Sequence, residues 1–135
     1  MTHYVAGLLY SEDGMAVALI QKNRPQWQAG LFNAIGGKVE LGETAQQAMR
    51  REFREEAGVD LEWTHRMTLK GSDYSVDFFS RHDDAAISQI MTMTDEVVEI
   101  HQAYDLPENL IPNLWWIIPM MNDDYLAAQT IEMLD

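Results

Sequence analysis

The sequence predicts a mixed α/β domain with helices packed on a β-sheet, and three observations predict it. Patterns along the chain run strands, helix, strands, helix. With 135 residues the chain suits one core and is too short for two comfortable ones, so a single domain is expected over residues 1–135. The apolar share of 47% and the charged share of 23% fit a folded chain and argue against global disorder.

The elements follow in order. "YVAGLLY", the polar "SEDG" and "MAVALIQK" read as two apolar strands joined by a turn at Asp13-Gly14. "NRPQWQAGLFNAIGG" holds Pro25, Gly30 and the Gly36-Gly37 pair, and reads as a loop with a short strand around Leu31 to Ile35. Thr44 caps a helix running to about Ala57, and Gly58 suits the left-handed position after a helix end. "LEWTHRMTLKG", "YSVDFFSRH" and "EVVEIHQAY" carry β-branched and aromatic residues at strand density. The apolar "IPNLWWIIPMMNDDYLAAQTIEML" predicts a C-terminal helix, with Pro112 and Pro119 at a first turn or a kink. No linker and no internal repeat interrupt the series.

Composition narrows the chemistry. With no cysteine there is no disulfide, thiolate zinc site or cysteine nucleophile, which suits a cytoplasmic protein. The apolar run Val5 to Tyr10 is far shorter than a membrane span and follows no basic segment, so neither a signal peptide nor a membrane partner is expected. A net charge of −13 repels nucleic-acid polymers. A small anionic ligand stays compatible with that charge, because a divalent cation held by carboxylates reverses the local field.

The helix after Thr44 puts its acids in an unusual place. At about 100° per residue, Glu52 and Glu56 fall with Ala45, Met49 and Phe53, while Ala48 and Glu55 take the adjoining flank and Arg50 and Arg54 point away. A solvated acidic stripe would lie opposite the apolar residues instead. Ionised carboxylates at a core edge are costly unless paired or metal-bound, and the i, i+3, i+4 spacing brings all three within mutual reach. Their oxygens suit Mg²⁺ or Mn²⁺. Gly36-Gly37 lets the backbone pass close to a metal or phosphate, with a glycine carbonyl as a further ligand. Arg51 lies beside the acids and can brace Glu43 in a bidentate pair.

Together these positions resemble the Nudix hydrolases, in their MutT-like form. The family signature reads here Gly37, Glu43, Arg51-Glu52, Phe53, Glu55-Glu56, Gly58 and Val59 without departure. The resemblance implies the Nudix fold, a mixed sheet between helices in an α/β/α sandwich. It implies metal-assisted attack of water on a pyrophosphate bond of a nucleoside diphosphate-linked compound, such as an oxidised purine nucleoside triphosphate. By position, Glu52, Glu55 and Glu56 would bind metal with the Gly37 carbonyl, Glu43 and Arg51 would orient them, and Glu52 is the first choice for the base. Glu96 in "TDEVVE" matches the place of an extra metal-binding glutamate in several members, with Glu99 and His101 nearby.

"LFNAIGGKVE" is similar to enzymes that remove oxidised purine nucleotides, in which an asparagine at the place of Asn33 contacts the base. Their acidic pair would fall at Asn113 and Leu114, where this chain departs, and many members carry proline at the place of Ile35. Trp27, Phe32, Trp115 and Trp116 are candidates to stack on a base, and Lys22, Arg24 and Lys38 to contact phosphates. The readings that stand beside this one are an ADP-ribose, dinucleotide or nucleotide-sugar pyrophosphatase, and a domain that senses a nucleotide without cleaving it. Either a monomer or a homodimer is expected.

Overall fold

The computed structural model describes residues 1–123 and 129–134. The chain forms β1 (Thr2–Tyr10), β2 (Ala16–Gln21), a 3₁₀ turn (Gln26–Gln28), β3 (Phe32–Asn33), β4 (Ile35–Lys38) and α1 (Ala45–Ala57). There follow β5 (Thr64–Lys70), β6 (Tyr74–His82), the short α2 (Asp84–Ile87), β7 (Val98–Gln102), α3 (Leu114–Met121) and β8 (Gln129–Glu132). The strands build one sheet in the order β3-β2-β1-β6-β5-β8, with β4 also pairing with β1 and β7 with β2. It is mixed: β1 runs parallel to β6 from Thr2 opposite Tyr74 to Tyr10 opposite His82, and β5 runs parallel to β8.

Side chains alternate across each strand, and that alternation sorts the apolar residues into two layers. Leu8, Tyr10, Val17, Leu19, Met67 and Phe78 face α3, which buries Leu114, Ile117, Ile118 and Met121 against them. Val5, Leu9, Ala18, Ile20, Ile35 and Phe79 face α1, which buries Ala48, Met49, Phe53 and Ala57. The sheet therefore lies between helices, the α/β/α sandwich expected. No helix among the described residues is long and apolar enough to cross a membrane.

Local chemistry fixes both ends of α1. The Thr44 hydroxyl accepts from the Gln47 N–H at 3.1 Å, and the Gln47 side chain accepts from the Thr44 N–H at 2.9 Å, which closes a capping box. Gly58 ends the helix in the left-handed region at φ 80°, its N–H donating to the Arg54 carbonyl at 3.0 Å. The Gln46 amide clasps the backbone of Trp63 through two bonds of 2.9 Å, and Phe53 meets the Trp63 ring edge-on at 4.9 Å. Helix α1 is thus held in position along its axis and in rotation.

Three segments differ from the sequence reading. The stretch read as one short strand is two, and Gly36-Gly37 lies within β4, Gly37 opposite Val5 of β1. Helix α2 was not expected; Asp83 caps it by accepting from the Ala86 N–H at 2.9 Å. The C-terminal helix is shorter than expected. Pro119 lies inside α3, which stops at Met121. Part of the expected helix lies outside the described residues, and Gln129–Glu132 form a strand. Here β-branched Thr130 and Ile131 meet the hydrogen-bonding edge of β5, and pairing that edge outweighs helix propensity.

Because the Thr44 box satisfies two helix-end donors at once, Thr44→Ala is expected to lower stability by about 1 kcal/mol. Urea denaturation should read this as a shifted midpoint with an unchanged slope; no shift would show that the cap is dispensable.

Candidate active site

Arg51 gathers the acids around it. Its Nε donates to Glu43 Oε2 at 2.7 Å and its Nη2 to Glu43 Oε1 at 3.0 Å, a bidentate pair across the loop before α1. Nη2 also donates to the Lys38 carbonyl at 3.0 Å, which ties α1 to the end of β4. Nη1 reaches Glu52 Oε1 at 2.7 Å and Glu55 Oε2 at 3.3 Å. The Arg51 guanidinium, together with the Glu40 backbone N–H, holds the Glu43 carboxyl down at about 2. Arg51 is itself held more firmly protonated than a free arginine, chiefly by its hydrogen bonds to Glu43.

Glu52 packs directly over Gly37. A Cβ at residue 37 would come within 2.6 Å of the Glu52 carboxyl carbon, so glycine leaves room for the Glu52 carboxyl where it lies. The Glu52 side chain is 13% exposed, and burial raises its carboxyl above the ordinary range although Arg51 opposes this. Glu56, one turn on, has a buried Oε2 with no hydrogen-bond partner among the described residues. Burial, with Lys22 opposing and Glu96, Glu52 and Glu55 adding repulsion, pushes its carboxyl up to about 7. Glu55 differs from the other two, with its side chain 55% exposed on the flank of α1.

Glu96 comes to the same place from the loop between α2 and β7. That loop caps the end of α1: the Met91 N–H donates to the Ala57 carbonyl at 3.1 Å and the Met93 N–H to that of Glu56 at 3.3 Å. The Glu96 side chain is 4% exposed. Its Oε1 accepts from Lys22 Nζ at 2.9 Å, and its Oε2 from the Asn23 N–H at 2.7 Å and, more weakly, the Arg24 N–H at 3.4 Å. Burial would raise this carboxyl, but the Asn23 N–H and the Lys22 ammonium outweigh it and the net shift is downward.

The remaining sequence candidates spread around this centre. Asn33 donates through Nδ2 to Gln28 Oε1 at 3.0 Å, and its own oxygen accepts from the Ala34 N–H at 2.8 Å. Phe32 is buried and packs edge-on against His101 at 4.6 Å. His101 Nε2 lies 3.2 Å from Glu99 Oε2 without hydrogen-bond geometry. Trp27 is exposed on the 3₁₀ turn; Trp115 and Trp116 are exposed on α3, which begins after Asn113. Lys38 is exposed at the end of β4, and Arg24 is paired with Asp95. Sequence reasoning did not single out Asn23, Gln28, Thr94 or Asp95. Thr94 Oγ1 accepts from the Glu96 N–H at 3.1 Å. Such polar residues in loops carry no periodic signal.

The donor chemistry fits a hard divalent cation: every group is an oxygen, and the Glu56 Oε2 is buried near the carboxylates of Glu96, Glu52 and Glu55. Among the described residues no three His, Asp or Glu side chains are gathered into a cage that could hold a metal. Arg51 and Lys22 hold the carboxylates in ion pairs, so a cation would exchange with those partners.

A family model described as the NUDIX domain matches residues 1–119. The oxidized purine nucleoside triphosphate hydrolase of Danio rerio is 49% identical over 39 residues, which is 29% of this chain and 25% of that protein. The CTP pyrophosphohydrolase of Escherichia coli (strain K12) is 41% identical over 56 residues, 42% of this chain and 41% of that one. The matched stretches thus span less than half of either relative. Among solved structures, one from work on MutT of Aliivibrio salmonicida and Vibrio cholerae superposes with a TM-score of 0.70 at 26% identity, covering 88% of this chain and 98% of that one. The MutT protein of Bacillus halodurans gives 0.74 at 17% identity, covering 98% and 90%.

The Glu56 carboxyl sets a pH dependence. Without metal, the folded chain holds a proton there that the unfolded chain has lost, between the ordinary 4.5 and about 7. Its contribution to stability is therefore full below 4.5 and is lost as pH rises through about 7. A divalent cation binding at Glu56 must expel that proton, so Mn²⁺ affinity is expected to strengthen between about pH 6 and pH 8. Titration calorimetry in two buffers of different ionisation enthalpy should read proton release, lost in Glu56→Gln. Equal release in the variant would remove Glu56 from the centre.

Proposed function

The chain belongs to the Nudix family, and from that premise we propose that it is a Mg²⁺-dependent pyrophosphohydrolase acting on a nucleoside triphosphate. The observation that carries this reading is the Glu56 oxygen left without a partner beside Glu52 and Glu96, which calls for a cation. Two relatives by sequence support the substrate class, since one is named for oxidised purine nucleoside triphosphates and the other for CTP. They disagree on the base, and the chain's own Asn113 and Leu114 depart from the acidic pair of the purine-selective enzymes.

On this reading Glu52, Glu55, Glu56 and Glu96 hold the ion, with the Gly37 carbonyl as a further ligand. The ion supplies charge neutralisation on the phosphate oxygens and a lowered pKa for the attacking water. Glu52 is the first choice to take the water's proton, because Arg51 fixes one of its oxygens and so orients the carboxylate. Arg51 and Glu43 are positioning residues that set the carboxylates before substrate arrives. Asn33 reads the base, Trp27 and Trp116 offer faces for stacking, and Lys38 meets the phosphate chain.

The test is phosphate and pyrophosphate release from canonical and oxidised nucleoside triphosphates, ADP-ribose and dinucleoside polyphosphates, with and without Mg²⁺. One triphosphate is expected to dominate. Changing groups that merely brace a metal ligand costs about 10–100-fold; Glu43→Gln is expected within that range and Glu56→Gln beyond it, with the fold retained. Wild-type turnover in Glu56→Gln would refute the assignment, and nucleotide binding without any release would identify a sensing domain. Asn33→Ala should alter the preference among bases more than the Mg²⁺ requirement; an equal loss on every substrate would remove it as the base reader.

A further inference from the structure

Glu96 and Glu56 approach the same place from chain segments forty residues apart, and a lysine accompanies them. Lys22 follows β2, its side chain only 18% exposed, with Nζ 2.9 Å from Glu96 Oε1. The other Glu96 oxygen is occupied by the Asn23 N–H, so Lys22 and its neighbour hold both oxygens of this carboxylate. The Met93 bond to the Glu56 carbonyl fastens the Glu96 loop to α1. The Lys22 ammonium acts electrostatically on Glu56 as well, opposing the repulsion from Glu96. Two positive charges thus flank the buried Glu56 Oε2 and Glu96: Lys22, in direct contact with Glu96, and the exposed Arg24, whose Nη1 lies 3.9 Å from Glu96 Oε2 while its guanidinium pairs with Asp95.

We propose that Lys22 is a displaceable counter-cation of the Glu56–Glu96 pair. It keeps the two carboxylates together in the metal-free protein and competes with a divalent cation for Glu96. An ammonium is a single charge that holds carboxylates through N–H donors, whereas a divalent ion binds the same oxygens directly and carries twice the charge. Entry of the ion moves Lys22 away without moving the loop, since the Asn23, Met91 and Met93 N–H bonds do not involve the ammonium. The proposal rests on the metal-assisted reading of this site and specifies what the first ion must displace.

The measurement is Mn²⁺ binding to the full chain without nucleotide at pH 8, followed by the loss of free Mn²⁺ signal in electron paramagnetic resonance. Lys22→Met is expected to bind Mn²⁺ on the order of tenfold more tightly than wild type, the scale of one charge-assisted hydrogen bond. Lys22→Arg, which keeps the charge, should stay near wild type. In a Glu96→Gln background Lys22→Met should give no gain. Thermal unfolding of each variant shows that the folded protein is being titrated, and Lys22→Gln serves if Lys22→Met does not fold. Unchanged or weaker binding in the uncharged variants, or a gain that persists without Glu96, would overturn the proposal. The metal-assisted function fails by a different sign, the absence of Mg²⁺-dependent hydrolysis by wild type, whatever the Mn²⁺ titration shows.

Discussion

Carboxylates crowded on one face of a helix repel each other, and at this protein's candidate centre their geometry depends on what opposes that repulsion. Arg51 does so through a planar guanidinium that meets Glu43 in two parallel bonds and reaches Glu52 and Glu55 with its remaining nitrogen. A lysine at this place would offer a point charge and lose the fork that fixes the Glu43 loop. The same guanidinium donates to the Lys38 carbonyl, so the arginine that organises the acids also sets the distance between α1 and the Gly37 strand. Gly37 completes that constraint, because any Cβ there would occupy the space of the Glu52 carboxyl.

The rest of the fold keeps α1 from sliding out of this register. Its first turn is closed by Thr44 and Gln47, its last by Gly58, and the Glu56 and Ala57 carbonyls accept from the loop that carries Glu96. Helix capping and site assembly are therefore one structural event. The loop whose Met91 and Met93 N–H groups satisfy C-terminal carbonyls of α1 also carries Glu96 toward Glu56. Placing a buried acid this way has a cost, and the Asn23 N–H and Lys22 ammonium offset it.

How much was legible in the sequence follows from how local each signal is. Helix α1 could be read because its caps, its apolar face and the acids interleaved with that face all lie within residues 44 to 58. The strands could be read from apolar runs and from β-branched and aromatic density, but the layer each side chain faces is set by the sheet pairing. Differences arose where the deciding partner is distant. Gly36-Gly37 reads as a turn in isolation but pairs with β1, and Gln129–Glu132 reads as helix but meets the edge of β5. The Lys22–Glu96 bond joins residues 74 apart, a separation at which neither residue announces the other. Lys22 and Arg24 stand out in sequence as phosphate contacts because a lysine or arginine in a loop shows its charge and not its partner. Here both are engaged by acids of one loop.

That engagement gives the net charge of −13 a local meaning. Of nine basic residues, Lys22, Arg24 and Arg51 lie at the centre, and each is already paired with a carboxylate. A polyphosphate arriving at such a centre finds positive charge that is already neutralised, against a background that repels it. Beyond the exposed Lys38 at the end of β4, electrostatic attraction at this place comes from an added cation or from releasing one of these paired groups. On the proposed reading a divalent ion does both: it brings two charges to the carboxylates and frees the Lys22 ammonium from Glu96. The chain's acidity would thereby make approach of a small polyanion conditional on metal, a selectivity built from the charge count before any contact with a base is made.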